Sequence, residues 1–358
     1  MAKVATAPAT PDAAAVRVDE LTERRATPVK WWAVAGAAFV GLQIYVYTAW
    51  IVSGDAQRIQ TGVDEVPWAT EAWAIAHQIL IPIGAVIFLA WIARGCIRAR
   101  RLTFDALFVL AWVACFWQDP ILNYTRPQFF YNSVMLNFGS WTEQIPGWIS
   151  PNGRMLPEPL LFTGVIYVLV TPMLSIISCW VMRAAKRRWP QMGAFGVVAF
   201  AYVSMVVFEG VLEVAWVRTE LMAFSGTIHD LSFFGGERYQ FPIYESLIWG
   251  AMLTAMGALR YFRDDKGRSV VERGVDRVRT STRQKTALRA LALIGFANIA
   301  MLGIYNIPMQ WIALHVDETP AGYPSYMRNG ICGDGTPFSC PTPFEPVPLP
   351  ESGPQREP

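Results

Sequence analysis

The chain has 358 residues, of which 53% are hydrophobic and only 16% charged, and its net charge is +2. An average soluble domain carries about 25% charged residues, so this composition excludes an ordinary soluble globule and places the chain among membrane proteins. The near-balance of charge gives no footing for nucleic acid as a partner. The basic residues instead cluster between apolar segments, where they serve topology.

Residues 1–30 carry Asp19, Glu20 and Glu23, and a long apolar run without a small-residue cleavage site follows them. They read as a disordered cytoplasmic tail ahead of an anchoring helix rather than as a cleaved signal. Spanning a bilayer takes about 20 apolar residues. Runs of that kind occupy 31–53, 73–93, 102–118, 158–182, 193–216, 242–262 and 287–312. The third run is short and is expected to stop at Asp119-Pro120, because proline cannot continue the helix ladder.

The expectation is an all-α fold, a polytopic membrane bundle of about seven transmembrane helices. Lys and Arg crowd the segment before the first run and the loops after the second, fourth and sixth. Loops 54–72, 119–157 and 217–241 are poor in them. The positive-inside rule then predicts the N-terminus in and the C-terminus out, multi-pass in the cell membrane. The membrane domain is expected over 31–315 and an extracytoplasmic tail over 316–358. In that tail Cys332 and Cys340 face an oxidising side and are expected to form a disulfide, ahead of a Pro-rich disordered end. Loops 119–157 and 217–241 are rich in aromatics, Gly and Pro, and are expected to fold as caps over the outer end of the bundle. No internal repeat is evident, which weighs against inverted-repeat transporters.

Four acids stand out. Glu209 and Glu213 are four apart in an apolar run and so share one helix face. Carboxyls within hydrocarbon are costly and mark function by default, with a structural bond to Arg218 as the plainer alternative. Such a pair suits general acid catalysis. Asp119 closes the third run at the same outer level, where it could instead cap a turn. Glu245 sits near the start of the sixth run, where an acid also suits the helix dipole.

The chain has three His, which excludes His-rich di-iron hydroxylases and bis-His haem bundles. No Cys, His or acid spacing reads as a metal site. No Gly-rich phosphate loop or dinucleotide fingerprint is present, and no Lys lies in a run to carry a retinal Schiff base. The expectation is therefore no cofactor and no metal. Trp117, Trp141, Trp148, Trp216, Trp249 and Trp311 fall near the outer ends. They suit an interfacial belt, or a wall that stabilises a developing cation. Asn298 and Asn306 in the last run suit interhelical hydrogen bonding.

The run Phe116-Trp117-Gln118-Asp119-Pro120 continues with Asn123-Tyr124, Tyr131-Asn132-Ser133, Asn137-Phe138-Gly139-Ser140-Trp141 and Ile145-Pro146-Gly147-Trp148. These residues, with Phe208-Glu209-Gly210, Glu213 and Tyr305-Asn306-Ile307-Pro308, resemble the spirocyclase family of avermectin biosynthesis (AveC-like), over about residues 30–330. The resemblance implies dehydration and spiroketal formation on a lipophilic polyketide without a redox cofactor, in an actinobacterial secondary-metabolism setting. It supplies no catalytic residues. The acids expected to act are therefore Glu209, Glu213, Asp119 and Glu245. Trp117, Asn123, Tyr124, Asn132, Trp141, Trp148 and Asn306 are expected to bind substrate. An acid-triggered terpenoid or lipid cyclase and a non-enzymatic transporter or assembly subunit are the competing readings. Polyketides are made in the cytoplasm, whereas these acids gather toward the outer leaflet, so either substrate crosses into the bundle or the acid cluster has another role.

Overall fold

The computed structural model describes residues 27–333 and 336–338. The helix α1, Pro28–Ser53, opens with proline in its first turn, where the missing N–H costs nothing, and ends at Gly54 in the left-handed region (φ 82°). Helix α2, Trp68–Ala99, follows, and α3, Phe104–Val113, is capped by the Thr103 hydroxyl accepting the Ala106 N–H at 3.3 Å. A 3₁₀ run, Phe116–Asn123, continues α3 after a break at Ala114–Cys115. Helix α4, Val170–Arg188, is preceded by a π turn at Leu160–Gly164; α5 is Ala194–Arg218 and α6 is Ile243–Tyr261. Helix α7, Thr282–Ala300, starts on a reciprocal capping box between Ser281 and Gln284. It runs through a π segment, Met301–Asn306, into α8, Ile307–Ala313. A short α9, Ser325–Arg328, lies in the tail.

Five helical stretches are long and apolar enough to cross a membrane: α1, α2, α3 with its 3₁₀ extension, α5, and the continuous run from α7 through α8. The other two expected spans, 158–182 and 242–262, are also helical, as α4 and α6. They carry charges that lower their apolar character: Arg183, Lys186, Arg187 and Arg188 in α4, Glu245 and Arg260 in α6. The helix expected to stop at Pro120 does not. Its α geometry ends at Val113, and the 3₁₀ run carries the chain through Pro120 to Asn123. Proline is tolerated there because the Trp117 carbonyl, which an N–H at position 120 would have met, accepts the Trp141 indole N–H at 2.8 Å instead.

Helix α1 packs along α7, and α3 packs on α7. Helices α4, α5 and α6 form a mutually packed trio beside them. The α1–α7 seam is glycine-built. A Cβ on Gly36 would stand 1.9 Å from the Leu291 carbonyl oxygen, and one on Gly295 would stand 2.3 Å from that of Trp32. Such close backbone approach is how helices adhere where lipid removes the hydrophobic drive. The core centres on Phe108, Trp112, Phe162, Met252 and Leu253. Large apolar side chains of α1, α2 and α5, among them Ile44, Leu80, Val86, Phe195 and Val203, point outward and exposed. Water would not tolerate that much apolar surface, and lipid does; the protein is a membrane protein.

The two ends of the bundle differ. At one, short basic connections join the helices. At the other, the segments 119–159 and 219–241 fold together as a cap, joined by an antiparallel pair, β1 (Phe129–Tyr131) with β2 (Met222–Phe224), Tyr131 opposite Met222. A smaller pair, β3 (Ser232–Phe233) with β4 (Phe241–Pro242), leads into α6. Tail residues Tyr323, Tyr326 and Met327 pack on Ala223 of the cap. Cys332 is disulfide-bonded; Cys340, expected as its partner, lies outside the described residues, as do 1–26 and the Pro-rich end.

Candidate active site

The cap, α4, α5, α6 and the π segment before α8 enclose a cavity. Asp119, Glu209, Glu213 and Glu245 line it together, and no Lys, Arg or His does. Aromatic rings supply much of the remaining wall: Phe129, Tyr131, Phe162, Tyr167, Trp216 and Trp249, with Tyr305. The room for water centres is about 60 Å³. One water needs about 10–15 Å³ on that measure, so several waters fit.

The four acids are held differently. Asp119 sits on the 3₁₀ run, which aims it back under the cap. Tyr131 of β1 donates its hydroxyl to one Asp119 oxygen at 3.0 Å, and Tyr167 of the turn before α4 donates to the other at 2.9 Å. Burial, then the Asp119 charge, pushes the Tyr131 hydroxyl well above the usual phenol range, so it stays a donor. Glu245, in the first turn of α6, accepts the Tyr305 hydroxyl at 2.7 Å on Oε1, while Oε2 has no partner among the described residues. Tyr305 comes from the π segment, whose extra residue per turn rotates it relative to a regular helix. Segments of that kind recur at functional sites. Glu209 and Glu213 project from one face of α5 beside each other. Glu213 and the Ser246 hydroxyl are the polar neighbours of Glu209, but neither oxygen of Glu209, nor Oε2 of Glu213, makes a well-formed hydrogen bond among the described residues. Arg218, the structural alternative for these acids, is occupied elsewhere: its guanidinium lies 4.2 Å from the Tyr239 ring centroid and 5.4 Å from that of Phe234.

The seven residues expected to bind substrate lie outside this lining. Trp117 donates Nε1–H to Asn298 Oδ1 at 2.9 Å, and Trp141 donates to the Trp117 carbonyl at 2.8 Å. Asn306 donates to Gln118 Oε1 at 2.9 Å. Asn123 accepts the Gln128 and Phe129 N–H groups and so starts β1, and Asn132 bonds the Glu220 carbonyl on the other cap segment. Tyr124 donates to the Pro146 carbonyl and Trp148 to that of Ser150. Each of the seven thus has a part in holding the cap or its seat on the bundle.

Sequence reasoning missed Glu158. It is 2% exposed and neighbours Asp119, and its Oε2 has no hydrogen-bond partner among the described residues. Its one sequence signal is the flanking pair Pro157 and Pro159, which fixes the backbone of an acid just ahead of an apolar run. Tyr131, Tyr167 and Tyr305 were also missed as partners of the acids.

A family model described as spirocyclase AveC-like matches residues 99–328, well over half the chain, including all five of these acids and the three tyrosines. No curated protein and no solved structure matches. The chain belongs to the spirocyclase AveC-like family.

Proposed function

We propose that this member of the spirocyclase AveC-like family is a multi-pass cell-membrane cyclase that closes a spiroketal on a lipophilic, polyketide-like substrate by general acid–base catalysis. All seven helical stretches then span, with the N-terminus in and the C-terminus out. The basic end, with Arg100, Arg101, Lys186, Arg187, Arg188 and Lys266, faces the cytoplasm.

In the reaction, one hydroxyl of a dihydroxyketone adds to the carbonyl to give a hemiketal. The hemiketal hydroxyl takes a proton and leaves as water, forming an oxocarbenium ion. The second hydroxyl then attacks and releases a proton. One water is lost and no atom changes oxidation state, so an acid, a base and a water-poor chamber suffice. Glu209, paired with Glu213, delivers the proton to the departing oxygen. Asp119 takes the proton of the attacking hydroxyl. Glu245 and the aromatic wall sit beside the developing positive charge.

The observation that carries this reading is the division among the carboxyls. Asp119 accepts a phenol hydroxyl on each oxygen, from Tyr131 and Tyr167, so its oxygens are set as acceptors. A carboxylate has about four acceptor sites, so room remains for a substrate hydroxyl. Glu209, whose polar neighbours are the Glu213 carboxyl and the Ser246 hydroxyl, receives no phenol and meets no basic residue in the lining, and is placed to give a proton to whatever enters. The test compares lipophilic extracts by mass spectrometry from the host with the gene intact, deleted, and replaced by Glu209→Gln. Accumulation of a precursor heavier by one water, in both the deletion and the variant, is the expected result. An unchanged metabolite profile would overturn the proposal.

A further inference from the structure

Four carboxyls face the chamber without a basic residue among its lining. Glu209 and Glu245 are each 1% exposed, and three of their four oxygens lack a protein partner among the described residues. Arg218, in the last turn of α5, stacks on Tyr239 rather than on these acids. A buried carboxyl oxygen without a donor is costly, so these oxygens are open to a ligand that completes them.

The rest of the wall defines the partner. Phe162 lies edge-to-face on Trp216 with centroids 5.2 Å apart, and Trp249 on Tyr305 at 4.7 Å. Aromatic surface of that kind attracts cations, by about 2 kcal/mol where both are desolvated. Leu122, Ile166, Val170, Leu174 and Leu212 complete the lining with hydrocarbon, which a hydrated metal ion would not use. The room for water centres, about 60 Å³, corresponds to about four to six waters. That accommodates a single saturated ring, not a macrocycle.

We propose that the chamber binds a lipophilic organic cation: a tertiary ammonium on one saturated ring, charge toward Glu209 and Glu245, hydrocarbon toward the aliphatic and aromatic wall. This deepens the catalytic reading and rests on it in one respect, that the ammonium takes the place of the positively charged intermediate and so inhibits closure. Binding itself needs only the geometry above.

The experiment is isothermal titration calorimetry on the purified full chain in detergent. The probes are N-methylpiperidine, charged at neutral pH, and N-formylpiperidine, the same ring with an uncharged nitrogen. The amine is expected to bind at least about tenfold more tightly than the amide. Glu209→Gln and Glu245→Gln are each expected to weaken the amine by about tenfold with an unchanged melting temperature, while Glu143→Gln, at an exposed cap position, leaves it unaltered. Equal binding of the two probes, or undiminished amine binding in both folded variants, would overturn the proposal. Should the amine bind while Glu209→Gln still makes product, the catalytic reading fails and the binding site stands. Should the variant lose product while the amine binds no better than the amide, the binding site fails and the catalytic reading stands.

Discussion

Two buried polar regions lie side by side under the cap and are built on opposite principles. In the first, Asn298 Oδ1 accepts from both Trp117 Nε1 (2.9 Å) and Gln118 Nε2 (2.7 Å), and its own amide donates to the Ile294 carbonyl at 3.0 Å. Gln118 in turn accepts from Asn306, and Trp141 bonds the Trp117 backbone. Rings of α1 close over it, with Tyr47 and Trp50 edge-on to Trp141. In the second, the acid chamber, carboxyl oxygens outnumber their donors, and Glu209 has none among the described residues. A satisfied buried network rigidifies and specifies a fold, whereas an unsatisfied one is costly and persists where something else completes it. The contrast separates the scaffold from the chemistry more sharply than residue type does: Trp117, Trp141, Asn298 and Asn306 bond within the scaffold, whereas Trp216 and Trp249 line the chamber.

That contrast can be broken by exchanging its two halves. Glu209→Gln should lower product formation by about 10²–10⁴-fold, the usual worth of a general acid, with no fall in melting temperature in detergent. A stable, fully active variant would mean that the orphan oxygens have no part in turnover. Asn298→Leu should do the reverse. It leaves the Trp117 donor buried without an acceptor, at about 1–3 kcal/mol, and Gln118 with only the backbone carbonyl of residue 298 at 3.4 Å, so the melting temperature should drop while the protein that remains folded still makes product. Tyr167→Phe removes one of the two donors to Asp119 and tests the border between the regions. Here a loss of about tenfold in turnover, equivalent to about 1.4 kcal/mol, is expected with stability little changed.

The smallest effect lies at the rim. The Ser325 N–H bonds Asp64 Oδ2 at 2.6 Å, and this, followed by the Ser325 hydroxyl, holds the Asp64 carboxyl below its ordinary range. A carboxyl lowered on folding stabilises the contact at pH values above the ordinary carboxylate range and loses it as pH falls through the lowered value. The protection factor of the α9 amides, measured against the intrinsic exchange rate at each pH, should therefore fall on acidification in the wild type. In Asp64→Asn the protection factor should not change with pH over that interval.

The legible and illegible parts of the molecule divide by physical cause. Glu209 and Glu213 were visible because an acid inside an apolar run is anomalous whatever surrounds it. The helical stretches were visible for the complementary reason, that hydrocarbon thickness sets their length. Trp117, Trp141 and Asn306 looked like binding residues because their side chains can bind; what they bond to is decided by α1, α3 and α7 meeting, which no local pattern encodes. Glu158 reads as loop because its neighbours are prolines, and its closeness to Asp119 depends on the cap closing. The partnership of Tyr305 with Glu245 needed the π segment, since one extra residue in a turn redirects a side chain without altering apolar periodicity.

The pairing of β1 with β2 has a consequence for biogenesis. Tyr131 meets Met222, so the ribosome must deliver all of α4 and α5 before β1 has a strand to pair with. Until then Asp119 waits without its cap, and Glu209 and Glu213 enter the bilayer before Tyr305 and the last helix have been made. A nascent chain halted between Arg218 and Met222 would hold every residue of the α5 acid pair and no chamber. The membrane-insertion machinery, or a temporary neighbour, has to shelter those carboxyls during that interval. Translation past residue 224 then allows the cap to close.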